Sequence, residues 1–367
     1  MGRVPGGWAL YDATWWRKGA PVQIGTRVRD YTVDRIRQRA VGWIGRRRPS
    51  EPLFLYLSPF APHGGEDRDG SAGWSGVPAV RHRGDPRCAG VPPWVTPAHG
   101  EDVGDKPAWL RERAHPAARR VEWPVVRACE TLLSVDELLA AVMDGLTRAG
   151  RSDVVVLMVA DNGMAWGAHG LVTKNHPYAM PVPFFASWPR LLGDRPRRLA
   201  TTISLLDVAP SVCAAAGCTL GPYPDGRVAS GVPVWQHLVG QAPAVPRTVL
   251  PVEHRSIVRR LRTPGWQGIR TTEAHPLGRR LYIRYATGEE ELYDLDADPW
   301  LLENRAYDPA YAGELTVLVP EWERLHLPLF AGPAAVPVFH VAVTPPPGAS
   351  PAPGASPADP REDAEDD

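Results

Sequence analysis

The sequence predicts an α/β fold: a mostly parallel sheet flanked by helices, with a small antiparallel sheet plus helix at its C-terminal end. Three observations carry that prediction. Residues 53–58 and 153–160 are short, continuous apolar runs, the pattern of strands buried on both faces of a parallel sheet. Residues 130–149 set Leu132, Val135, Leu139, Val142 and Leu146 on one helical stripe and stop at Gly150, directly before the second run. Helix, tight turn and apolar strand make half of a βαβ unit. After about residue 245 the texture changes to short strands at hairpin spacing.

The remaining elements follow in chain order. Residues 28–44 read as an amphipathic helix with Val33, Ile36, Ala40 and Ile44 on one face and arginines between. Arg46, Arg47 and Arg48 close it, read as cations on a solvated helix end, and Pro49 stops it. Residues 62–108 are rich in Gly, Pro, Asp and Arg without a period, a long loop of the kind that shapes a site or stays disordered. A third strand at 182–187 and a helix at 207–216 continue the alternation, Asp207 and Pro210 marking a helix start. Residues 266–271, 279–285 and 289–295 read as an antiparallel meander, the last two joined through Thr287-Gly288, with a helix at 314–325 to cover one face. Beyond Thr344 the chain is Pro/Ala-rich with an acidic end, and disorder is expected. The expected division is a core at 1–244, an antiparallel subdomain at 245–343 and a tail at 344–367.

Composition excludes several function classes. The 41 basic and 41 acidic residues cancel, so no global field points to nucleic acid or a membrane surface. No apolar run reaches the ~18 residues of a membrane helix, and residues 1–20 lack the apolar stretch of a signal peptide. The chain as written reads as soluble and cytoplasmic. Cys88, Cys129, Cys213 and Cys218 form no CxxC pair and sit at no zinc spacing, so buried or idle thiols are expected. Lysine occurs only at 18, 106 and 174, which makes each one worth inspection.

Chemistry concentrates at two strand ends. Asp161 and Asn162 follow the strongest strand, where open α/β sheets hold their ligands. A carboxylate and an amide oxygen are hard ligands suited to Ca²⁺ or Mg²⁺. The same Asp-Asn-Gly163 is also an ordinary turn sequence. Gly167 to Gly170, with His169, and then Lys174 follow in one loop. His63, in Pro59-Phe-Ala-Pro-His63 after the first strand, is either a loop residue or a donor to an anionic oxygen.

These blocks, in this order, resemble the sulfatase family of the alkaline-phosphatase-like superfamily. They are Phe54-Leu-Tyr-Leu-Ser-Pro-Phe-Ala-Pro-His63, Glu130-Thr-Leu-Leu-Ser-Val-Asp-Glu-Leu-Leu139, Ala160-Asp-Asn-Gly163 with His169-Gly170 and Lys174, Leu206-Asp-Val-Ala-Pro210, and Glu291-Leu-Tyr-Asp-Leu-Asp-Ala-Asp-Pro299. Asp105-Lys-Pro-Ala-Trp-Leu110 is similar to the subgroup around N-acetylglucosamine-6-sulfatases. The resemblance implies that Asp161 and Asn162 are metal ligands, for Ca²⁺ or Mg²⁺. It implies that Lys174 and His63 contact the sulfate oxygens, and that the substrate is a sulfated small molecule or carbohydrate. Members of the family are often exported.

The pattern also breaks. The family's nucleophile is a formylglycine made in a Cys/Ser-x-Pro/Ala-x-Arg motif, and no cysteine or serine here has that context. The Asp-Asp pair that supplies further metal carboxylates is missing; the only Asp-Asp is Asp366-Asp367. The expectation is an N-terminally incomplete sulfatase core with uncovered strand edges, weak metal affinity, no nucleophile and no turnover of its own. The alternatives are a non-catalytic binding protein and a phosphatase or phosphodiesterase of the same superfamily.

Overall fold

The computed structural model describes residues 9–70, 72–89, 95–113, 119–172, 174–223, 231–241, 246–255 and 263–325. The disorder expected beyond Thr344 lies outside the described residues. Two compact units are present. One comprises the described residues up to Arg195 and from Arg247 onward; the other comprises those between Pro196 and Pro246.

The larger unit begins with a hairpin of β1 (Thr14–Arg17) and β2 (Ala20–Gln23), turned by Lys18 and Gly19, both at positive φ. A 3-10 turn leads into α1 (Thr32–Gly45), so the expected helix is confirmed with its first residues in a tighter coil. A second hairpin, β3 (Gly64–Glu66) with β4 (Ala72–Gly76), and two short helices, α2 (Pro86–Ala89) and α3 (Ala108–Arg111), give the aperiodic region 62–108 more structure than its composition predicts. Helix α4 (Arg119–Arg148) contains the expected 130–149 stripe and starts earlier. Val33, Ala40 and Ile44 of α1 pack on Leu138, Val142 and Leu146 of α4. Burying aliphatic side chains at about 1.5–3 kcal/mol each is what holds the pair. Arg81 bridges the two helices, with both terminal nitrogens 2.8 Å from Asp34 and further bonds to Glu137.

Residues 53–58 differ from expectation. They are extended but belong to no ladder, with Leu53, Leu55 and Leu57 turned to the α1–α4 core while Phe54 and Tyr56 are 68% and 82% exposed. β5 (Val156–Val159) pairs with β6 (Phe184–Ser187), and the pairing is antiparallel. The connection through residues 160–183 is a loop rather than a crossover helix, and a returning strand joined that way runs antiparallel. α5 (Pro189–Leu192) follows.

The C-terminal part is an antiparallel sheet in the order β10-β9-β8-β7: β7 (Val249–His254), β8 (Trp266–Thr271), β9 (Arg280–Tyr285) and β10 (Glu290–Asp294). The three expected strands match within a residue; β7 was hidden by Pro251, which an edge strand tolerates. Period-2 alternation sends Ile269, Tyr282 and Leu292 to one face, where Leu318 and Trp322 of the C-terminal helix (Ala312–Leu325) cover them. Trp266, Leu281, Ile283 and Tyr293 point to the other face, against Leu110, Ala165, Leu171 and Tyr178.

In the smaller unit, α6 (Val208–Ala215) starts from a buried Asp207. Its carboxylate accepts from Ser204 N and Val232 N, both at 2.8 Å, closing the capping box of the 3-10 turn Leu205–Asp207 that leads into α6, so Asp207 has the structural role expected of it. α7 (Trp235–Leu238) follows, and α8 is the C-terminal helix just described.

The cysteines correct the sequence reading. Cys88 of α2 is bonded to Cys129 of α4, and Cys213 to Cys218 at the end of α6. The first pair spans 41 residues, and only the packing of α2 on α4 brings its Cα atoms to 5.7 Å.

Candidate active site

β5 delivers the chain to Asp161 and Asn162 just past its carboxyl end. Gly163 makes the turn possible. A Cβ there would stand 2.3 Å from the Ala179 carbonyl oxygen and 2.6 Å from that of Pro181, so only glycine lets the returning backbone lie against it. Asn162 Nδ2 donates to Gly163 O at 2.9 Å, which fixes the amide and aims Oδ1 at Lys174, whose Nζ donates to it at 2.7 Å. Two of the four expected site residues are thus joined directly. Asp161 is exposed beside them.

His63 is held on a different turn. Its Nδ1 donates to Gly64 O at 2.7 Å and its ring lies 4.6 Å from that of Phe60. With Nδ1–H committed to a carbonyl, Nε2 accepts in the neutral ring and donates to an anion only as imidazolium.

The loop between Gly163 and Met180 is braced from below. Trp166 and His169 adopt left-handed backbone at φ 53° and 54°, next to Gly167 at 102°. His99 Nε2 donates to Trp166 O at 3.1 Å, and His169 N donates to Ala98 O at 2.7 Å. The buried His169 ring bonds Glu101 through Nδ1 and stacks on Tyr178 at 4.2 Å. Tyr178 in turn donates to the fully buried Glu291, which also accepts from Tyr285 at 2.7 Å and Tyr293 at 2.8 Å. Burial raises the Glu291 carboxyl above the ordinary carboxylate range, although the three tyrosine bonds pull it down. Burial and the nearby Glu291 push all three tyrosines well up, so they stay neutral donors.

Sequence reasoning singled out His169 and the Glu291 block but missed what Glu101, Tyr178 and Glu291 do together. The signal was partial: period 2 puts Glu291 and Tyr293 on one face of β10, whereas the meeting with Tyr178 across 113 residues is tertiary. Lys106 proves structural. It is buried, donates to Leu302 O at 2.6 Å and lies 5.1 Å from the centre of the Tyr293 ring.

A divalent ion does not fit these residues as a complete site. Asp161 and Asn162 offer a carboxylate and one amide oxygen, the latter already bonded to Lys174, against the roughly six to eight oxygens Ca²⁺ takes. Among the described residues no group of three or more His, Cys, Asp or Glu side chains converges to supply the rest. No described helix is long and apolar enough to cross a membrane.

Comparison with known proteins gives a consistent picture. The family model described as Sulfatase matches residues 2–218. The chain is 28% identical over 330 residues to an arylsulfatase of Chlamydomonas reinhardtii, a match covering 77% of this chain and 48% of that protein. An arylsulfatase of Volvox carteri is 27% identical over 353 residues, 82% of this chain and 53% of its own length. The chain therefore spans about half the length of these curated relatives. Among solved structures, one in complex with its substrate D-glucosamine-2-N,6-O-disulfate superposes with a TM-score of 0.68 at 18% identity, over 86% of this chain and 73% of that one. A phosphonate monoester hydrolase of Agrobacterium radiobacter gives 0.58 at 18% identity, over 88% and 63%. At these identities the structures share the fold: α/β, with the small antiparallel sheet near the C-terminus.

Proposed function

The chain belongs to the sulfatase family, and from that premise we propose that it holds the anion-binding half of a sulfate-ester hydrolase site. The observation that carries this reading is the Lys174–Asn162 bond at the end of β5, which fixes a cation on the amide that follows Asp161 in the chain. A sulfate ester carries one full negative charge, and cleavage of its S–O bond moves more charge onto the leaving oxygen. Lys174 and the imidazolium form of His63 stabilise that charge. Asp161 and Asn162 are the two ligands these residues bring to the metal that sulfatases use, Ca²⁺ or Mg²⁺. Because the donor set is incomplete here, no catalytic step is assigned to the metal. The substrate class is a sulfated small molecule or carbohydrate.

These residues supply no nucleophile. All four cysteines are in disulfides, so none is a thiol open to conversion. The 367-residue chain accordingly binds sulfate esters without turning them over. The disulfides also favour an oxidising compartment as its place of work. Assay of the purified chain with 4-nitrophenyl sulfate tests the reading. No turnover is expected, together with weaker binding of a sulfated monosaccharide in Lys174→Ala. Turnover that survives purification and vanishes in Lys174→Ala overturns the inactive reading, and binding unchanged in that variant overturns the site.

A second reading is favoured by the shared fold of a phosphonate monoester hydrolase, since fold does not fix which ester is cleaved. It predicts that a phosphonate monoester competes for Lys174 more strongly than the sulfate ester does.

A further inference from the structure

A groove unrelated to Lys174 lies between the first hairpin and α1. Arg35 and Arg39 of α1 and Arg46 just past its end recur at helical spacing, with Gly42 between them, and Arg17 of β1 faces them across a groove of about 300 Å³. Four guanidinium groups line it. Among the described residues none of the four makes an ion pair, whereas Arg37 on the same helix is matched with Asp34 and Glu137. Arg35 Nε is buried without a hydrogen-bond partner, and its Nη1 reaches only Gln38 Oε1, at 3.4 Å. Trp15 and Arg17 share one face of β1, and the Arg39 guanidinium lies 5.4 Å from the centre of the Trp15 ring. Burial first, and then the neighbouring Arg17 and Arg35, hold the Arg39 pKa below its usual value.

We propose that this groove is a second anion-binding site, which holds a sulfate-bearing segment of a glycan chain. Guanidinium forks match the paired oxygens of a sulfate group, and bound anions relieve the repulsion that the free groove carries. A groove of this volume admits a short stretch of sugars. A single-stranded nucleic acid is disfavoured because the Arg39 guanidinium already lies over the Trp15 ring, the aromatic platform on which a base would stack. The choice of a sulfated glycan over other polyanions rests on the sulfate-ester reading above; the groove shares no residue with that site.

Titration calorimetry of the full chain with a heparin-derived hexasaccharide, at about 0.15 M salt, tests the proposal. The variant with Arg35→Gln, Arg39→Gln and Arg46→Gln together is expected to bind about tenfold more weakly or worse, with a shallower salt dependence. Arg47→Gln, outside the groove, is expected to bind as the parent does, whereas Lys174→Ala is expected to lose only the contribution of the first site and to keep the salt-dependent binding that the triple variant loses. Loss of binding in Lys174→Ala with none in the triple variant overturns the second site while leaving the first in place. Equal binding by parent and triple variant overturns it outright. Equal competition by an unsulfated uronate polymer or by an oligothymidylate of matched charge overturns the sulfated-glycan assignment. If circular dichroism shows the triple variant unfolded, Arg17→Gln on the hairpin takes its place, with the same expected direction.

Discussion

The C-terminal sheet and the β5–β6 region are both built from apolar alternation, yet they end in opposite states. In the sheet β7–β10, Ile269, Leu281, Tyr282, Ile283, Leu292 and Tyr293 are all fully buried, because α8 covers one face and the 103–110 and 165–180 loops cover the other. Its one interior carboxylate, Glu291, has three tyrosine hydroxyls as partners. Around β5 and β6, Leu53, Leu55, Leu57 and Val154 pack on the α1–α4 core, but Phe54, Tyr56 and Phe185 are more than 60% exposed, with Met158 and Val159 near 40%. Large exposed apolar side chains gathered in one region are costly to leave in water. The first region has both faces covered; the second has one face turned to solvent.

That contrast can be broken or sharpened in order of effect. Leu281→Ala, in the finished sheet, is expected to cost about 2–5 kcal/mol by urea denaturation, because packed neighbours cannot collapse into the cavity. A cost below about 1 kcal/mol would mean that the sheet is as loosely held as the β5 region. Cys129→Ser opens a 41-residue loop and is expected to cost roughly 2–4 kcal/mol, read in the same way with the parent as reference. Gly163→Ala drives a methyl into two carbonyl oxygens and is expected to cost about 1–3 kcal/mol while weakening sulfate binding at Lys174. An unperturbed variant would show that the 179–181 backbone is free to move away.

Glu291 sharpens the comparison through pH. Its carboxyl is raised in the folded state, so the folded chain holds a proton that the unfolded chain releases. The stability tied to it is therefore full below the ordinary value of 4.5 and is lost as pH rises toward the raised one. The expected slope is at most about 1.4 kcal/mol per pH unit, and Glu291→Gln should flatten it in unfolding midpoints taken above pH 4.5. An identical pH profile in parent and variant removes Glu291 as the cause. Last and smallest, Phe185→Ser should change stability by less than about 0.5 kcal/mol and improve solubility, because its ring already faces water. A loss comparable to that of Leu281→Ala would show that the second face is covered after all.

Much of this was legible in the sequence. Local patterning located α1, α4 and the meander by their alternation and β5 and β6 by their apolar runs, although β5 pairs antiparallel and is half exposed rather than buried on both faces. The Asp161-Asn162-Gly163 block and Lys174 were legible too, since a strand end followed by a turn is a local fact. The pairing of Cys88 with Cys129, the joining of Tyr178 to Glu291 and the facing of Arg17 toward the α1 stripe were not. Each of these depends on segments far apart in the chain arriving at one place, and no window of sequence contains that information. By itself the sequence determined which residues could carry charge, ligate or pack, and in what local form. The tertiary structure decided which of them meet: Lys174 with Asn162, Glu291 with its tyrosines, and four arginines that face no carboxylate among the described residues. Side-chain bonds form only where packing of the whole chain has already set the distance.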